Sequence, residues 1–331
     1  MSASRALTGA IAVGAVAALS LFTAAPASAA TLPDGQSITV IDGISWQFFD
    51  ANPADAALTT VGSPSLTEDY VTGVDVNDEG IGYAITSDGY LFEADANTGT
   101  LSNGVEIRFD YIDVIEDTDG CSAIDYTDGV IYAACYLDAE NFEATYVGPV
   151  NPDNGYLRPE IELSGEDYLN LTAIAVDPIS GVLYGFEYDF GIELITGVYT
   201  LSEDEGATFV TLTENPVFGA DFDRDGQLWV TSWVFGGDSE SPEILSALAT
   251  LDLTSGANPF IETMNVDGVD YEGSVEPITV WGVASEEAPP ALAATGSTMA
   301  PAAAVIAAGV LLFGAVLAAG TVIARRRSLE S

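Results

Sequence analysis

A glycine followed three places later by an aromatic residue recurs four times in this chain, at intervals close to 50 residues. The copies are Gly80-Ile81-Gly82-Tyr83, Gly129-Val130-Ile131-Tyr132, Gly181-Val182-Leu183-Tyr184 and Gly226-Gln227-Leu228-Trp229, with aromatics 49, 52 and 45 residues apart. Self-similarity at this period marks a supersecondary unit that buries its apolar face only against the next copy. A small residue opening a short apolar strand precedes each copy: Gly73-Val74-Asp75-Val76, Ala123-Ile124-Asp125-Tyr126, Ala173-Ile174-Ala175-Val176 and Gly219-Ala220-Asp221-Phe222. Asp- or Asn-rich turns separate these strands from the glycines, so each unit opens as a β-hairpin. A later turn, Asp95-Ala96-Asn97-Thr98-Gly99, returns as Asp252-Leu253-Thr254-Ser255-Gly256.

Units of ~45 to 50 residues carrying about four short strands predict an all-β fold, with each unit a blade of a β-propeller. This blade grammar, over residues 36–285, resembles the broad NHL-repeat and lactonase-like group of propellers. Trp281-Gly282-Val283-Ala284 reads as an innermost strand with no hairpin after it, and Gly43-Ile44-Ser45-Trp46 as a second strand near the N-terminus. Joined, they make a fifth blade from both chain ends, which shuts the ring and protects sheet edges. Five blades are expected; a six-bladed ring and an irregular β-sandwich are the competing architectures. Residues 104–119 and 265–277 fit the template poorly and read as inter-blade loops.

The chain ends carry a different message. Residues 1–29 hold one cation, Arg5, then an uncharged run and the small-residue site Ala27-Ser28-Ala29. This is the layout of a secretory signal peptide, cleaved to leave Ala30 first. Residues 302–324 contain no charge; as a transmembrane helix at ~1.5 Å per residue they reach ~34 Å, enough for a ~30 Å hydrocarbon core. Arg325, Arg326 and Arg327 follow at once and keep the tail 325–331 on the cytoplasmic side.

Within the linker 286–301 lies Leu292-Ala293-Ala294-Thr295-Gly296. Placed ahead of an apolar span and an Arg-rich tail, it resembles a sortase sorting signal of the L-A-x-T-G type used by some high-GC Gram-positive bacteria. The resemblance implies that a sortase cysteine attacks the Thr295 carbonyl, releases Gly296 onward and passes the Thr295 acyl group to an amine of a peptidoglycan precursor. The expected location is the extracellular surface, covalently fixed to the cell wall, with the membrane helix holding the protein before sorting. A plain single-pass membrane protein is the alternative.

Charge narrows the chemistry of the ectodomain, residues 30–285. Of the 51 acidic residues only Glu330 lies beyond residues 30–301, and the sole cations there are Arg108, Arg158 and Arg224, a net charge of −47. Such a field repels nucleic acid and anionic lipid and attracts metal cations and basic partners. The chain has no His and no Lys, which excludes Ser-His-Asp and Cys-His catalysis, imidazole metal sites, Schiff bases and P-loops. Carboxylates, hydroxyls and tyrosines remain.

Cys121 and Cys135 flank the turn around Asp128, and reflection about that turn sets them opposite one another. An exported chain with an even cysteine count then predicts a disulfide. The sharpest local cation site is Asp221-Phe222-Asp223-Arg224-Asp225-Gly226, where alternate carboxylates of Asp221, Asp223 and Asp225 can gather around Ca²⁺; a polar hairpin turn is the competing reading. The ectodomain is expected to be a recognition or adhesion module for an extracellular protein or glycan. The alternatives are a passive acidic, cation-binding envelope component and a carboxylate-dependent glycoside or lactone hydrolase.

Overall fold

The computed structural model describes residues 31–282, apart from 64–68, 112–113, 119, 138–143, 165–167, 189–195, 239–240, 272 and 274. The expected signal peptide, linker, sorting motif, membrane span and tail lie outside the described residues.

Every described regular element is a β-strand. The chain first lays down β1 (Ser37–Asp42), β2 (Gln47–Ala51) and β3 (Leu58–Val61), which belong to blade 1. Blade 2 is β4 (Val71–Val76), β5 (Ile81–Thr86), β6 (Tyr90–Asp95) and β7 (Thr100–Glu106). A hairpin of β8 (Arg108–Tyr111) and β9 (Val114–Asp117) follows. Blade 3 has β10 (Gly120–Thr127), β11 (Val130–Leu137) and β12 (Ala144–Val150); β13 (Tyr156–Leu157) ties β12 to β8, and β14 (Ile161–Ser164) completes the blade. Blade 4 is β15 (Leu171–Val176), β16 (Leu183–Tyr188), β17 (Thr196–Ser202) and β18 (Gly206–Leu212). Blade 5 is β19 (Gly219–Phe222), β20 (Leu228–Asp238), β21 (Ser241–Leu251) and β22 (Phe260–Thr263). A small hairpin, β23 (Asn265–Val266) and β24 (Val269–Asp270), precedes β25 (Val275–Trp281).

The last strand returns to the first. β25 pairs antiparallel with β1, so blade 1 has the order β25-β1-β2-β3 and is built from both chain ends. Innermost strands β25, β4, β10, β15 and β19 touch one another in a closed circle. Five apolar cores fill the five spaces between neighbouring blades. The ring is therefore a five-bladed propeller, and each blade buries both faces only because a neighbour covers them.

The structure corrects three local expectations. Gly43-Ile44-Ser45-Trp46 is the turn between β1 and β2, because the Asp42 carboxylate accepts the Ile44 and Ser45 N–H groups at 2.9 and 3.1 Å. The innermost strand of blade 1 is Val275–Trp281, several residues earlier than Trp281-Gly282-Val283-Ala284. Residues 104–119 and 265–277 also contain strands rather than open loops. Pro277 hid the second of these, since proline has no N–H for a ladder. It is tolerated on this one-sided strand at a register shift opposite Val40 and Asp42.

The repeat motif has a clear local cause. Gly80, Gly129, Gly181 and Gly226 all adopt positive φ at the first-to-second strand turn. In blade 3 both Asp128 (53°) and Gly129 (81°) have positive φ, the mirror-image turn that suits strand twist. That turn sets Cys121 opposite Cys135, and the two form a disulfide. Closing this short loop contributes about 3 kcal/mol in the chain-entropy model. Reduction should lower the unfolding free energy by roughly that amount, and denatured, unreduced protein should not label with a maleimide. Label uptake before reduction would disprove the bond.

Candidate metal centre

A cluster of buried carboxylates lies on the propeller axis. At mid-depth the innermost strands present Gly73, Ala123, Ala173, Gly219 and Pro277 to one another across almost no free space. A Cβ at Gly219 would sit 2.1 Å from the Glu276 carbonyl oxygen, so small residues here are a condition of closing the circle. Two residues further along the same strands come Asp75, Asp125, Ala175 and Asp221, with Thr279 in β25. Each of the four in blades 2 to 5 stands in register with the aromatic of its repeat motif: Tyr83, Tyr132, Tyr184 and Trp229 respectively.

These axial side chains lace the blades together. Asp75 accepts the Tyr126 N–H of the next blade at 2.5 Å, Asp125 accepts the Val176 N–H at 2.8 Å, and Asp221 accepts the Val280 N–H at 2.5 Å. Thr279 does the same for the Val76 N–H at 3.2 Å. Ala175 alone has no side-chain acceptor to offer blade 5. Each carboxylate receives further bonds: Asp75 from Val76 N–H and the Thr279 hydroxyl, Asp125 from the Thr127 hydroxyl, and Asp221 from Phe222 N–H.

Oxygens of Asp75, Asp125 and Asp221 lie within 4.8 Å of one another, and all three residues are buried. At an effective dielectric of 20, two charges at that distance repel by about 3 kcal/mol. Burial pushes all three carboxyls up, Asp125 to about 6. Mutual repulsion raises Asp75 and Asp221 further, well above the ordinary range. Neither described ion pair, Arg108 with Glu106 or Arg158 with Glu160, reaches them. Arg224 stands on the wall of the same mouth, but its guanidinium donates to the Asp34 carbonyl at 2.7 Å.

The donors set a conflict. Seven described hydrogen bonds end on these three carboxylates, each from a protein N–H or O–H, which favours the ionised forms. Repulsion and burial favour protons. A cation bound there would satisfy both. Two oxygens held by one Ca²⁺ at ~2.4 Å are at most ~4.8 Å apart, so the spacing of the three carboxylates is compatible with one shared ion. A cavity of about 490 Å³, walled in part by Asp75, Asn77, Asp78, Glu79, Asp128 and Asp221, leaves room for water to complete the six to eight ligands such an ion takes.

The Asp221-to-Asp225 turn is arranged otherwise than its sequence suggests. Asp221 faces the axis. Asp223 is buried and accepts from Asp225 N–H, Gln227 N–H and the Trp229 indole at 3.0, 2.8 and 3.1 Å. Asp225 is exposed. Asp223 thus caps its own hairpin, and the structure joins Asp221 to Asp75 and Asp125 instead. A signal for these two existed: one Asp interrupts the same place in three otherwise apolar strands. No known family model matches this chain. No curated protein matches it either, so the site is read from its own chemistry.

Proposed function

We propose that this chain is an exported protein displayed on the cell wall, whose propeller binds a divalent cation, Ca²⁺ by size, at its axis. The convergence of Asp75, Asp125 and Asp221 carries this reading. Display rests on the signal-like start, the Leu292-to-Gly296 motif and the apolar span followed by three arginines. A cation there would cross-link blades 2, 3 and 5 through their innermost strands, making this an envelope domain stiffened by extracellular calcium.

With a Kd on the order of 10⁻⁴ M, ~2 mM Ca²⁺ stabilises the fold by about 1.8 kcal/mol. The rise in melting temperature should disappear in Asp125→Asn and persist in Asp225→Asn. Without calcium, the raised carboxyl of Asp125 binds its proton more tightly folded than unfolded. Its contribution is complete below the ordinary carboxylate range and is lost as pH rises through about 6. Chelated wild type should therefore lose stability across that window, and Ca²⁺ should restore it. A melting temperature responding to Ca²⁺ no more than to Na⁺ of equal ionic strength would sink the reading.

A further inference from the structure

A second cavity, of about 680 Å³, lies between blades 3 and 4 and shares Thr127, Asp128, Val176 and Pro178 with the axial mouth. Its apolar lining comes from Val130, Tyr132, Ile161, Val182 and Leu183. Val130 is 38% exposed although it opens strand β11. Carboxylates edge the same groove: Asp128, Glu160, Asp177, Glu203 and Glu205. Among the described residues none lining the groove is basic, and Arg158 is already paired with the lining residue Glu160. Asp177 is locked in place by the Ile179 N–H and the Ser180 hydroxyl at 2.9 and 2.6 Å.

We infer that this groove is a docking site for an extended basic segment of a partner protein, one that alternates apolar and cationic side chains. An extended strand sends successive side chains to opposite sides. One set would enter the apolar floor while the other meets the acidic rim. Charge complementarity selects the occupant, because an apolar floor ringed by carboxylates penalises acidic and neutral ligands differently from basic ones. A glycan is the poorer fit: sugar faces stack on aromatic rings, and among the described residues Tyr132 is the only aromatic ring lining the groove. The inference does not depend on the axial cation.

Fluorescence polarisation with the labelled peptides KVKLK and EVELE tests it, using folded ectodomain in 150 mM salt with Ca²⁺ held constant. KVKLK should bind at least tenfold more tightly than EVELE. The double variant Glu203→Gln, Glu205→Gln should weaken KVKLK about fivefold, and Val182→Lys should abolish it; each variant's unchanged melting temperature and Ca²⁺ response would show that fold and axis are intact. KVKLK binding that survives Val182→Lys would mean diffuse attraction to an acidic surface and would overturn the site. Equal affinity for KVKLK and EVELE, or tighter binding of a neutral chitin hexasaccharide that competes with KVKLK, would overturn it too. Should Val182→Lys lower the melting temperature, Val130→Lys at the exposed edge of the floor provides the same reading.

Discussion

A propeller fragment ending at Gly273 is expected to lose its cooperative fold altogether, although the cut removes a single described strand. β25 supplies the innermost strand of blade 1, and Val275, Ile278 and Val280 pack into the core shared by blades 5 and 1. The cut also removes Thr279, the axial partner of Asp75, and the Val280 N–H that Asp221 accepts. Each fully buried aliphatic side chain contributes ~1.5 to 3 kcal/mol. Three such residues, with two buried carboxylates that each lose a donor, approach the whole ~5 to 15 kcal/mol stability of a typical domain. Loss of near-ultraviolet circular dichroism and rapid proteolysis in residues 30–273, beside a sharp melt in residues 30–285, are the results to look for. A truncated form that melts cooperatively within a few degrees of the longer one would show that ring closure is dispensable.

The second large effect concerns location. Thr295→Ala, or deletion of residues 292–296, should move the protein from the wall fraction to the membrane fraction. Sortase would lose the motif that presents the residue-295 carbonyl to its cysteine, while the uncharged span 302–324 and its three following arginines would still hold the chain in the bilayer. Boiling detergent should then release the variant, whereas wild type should need a wall hydrolase. Were the variant to stay detergent-resistant, the sorting assignment would fail and another linkage to the wall would have to exist.

Much of the fold can be read residue by residue, because blades are local objects. The Asp128-Gly129 turn places two cysteines opposite each other within 14 residues, and a hairpin needs nothing more distant. Glycines at positive φ, Asp residues capping turns and apolar alternation likewise act over a few residues, so the blade period and the five-unit count are legible along the chain itself. Strand β25 is harder to delimit. Its proline argues against a central strand, and only the neighbouring β1, with its shifted register, makes Pro277 harmless.

The axial site belongs to the other class. Asp75 and Asp125 are 50 residues apart and Asp221 lies 96 beyond, so nothing in the chain between them announces that their oxygens meet. Along the chain, Asp221, Asp223 and Asp225 look like the natural group, since alternate carboxylates lie within a few ångströms of one another. Folding separates them: Asp223 goes to its own hairpin and to Trp229, while Asp221 turns inward. The groove between blades 3 and 4 has the same origin, with a wall from each of two units and no trace in either alone. Turn chemistry and strand period act through neighbours in sequence and are written there directly, whereas a site on the axis or between blades comes into being only when five separate sheets are brought round into one ring.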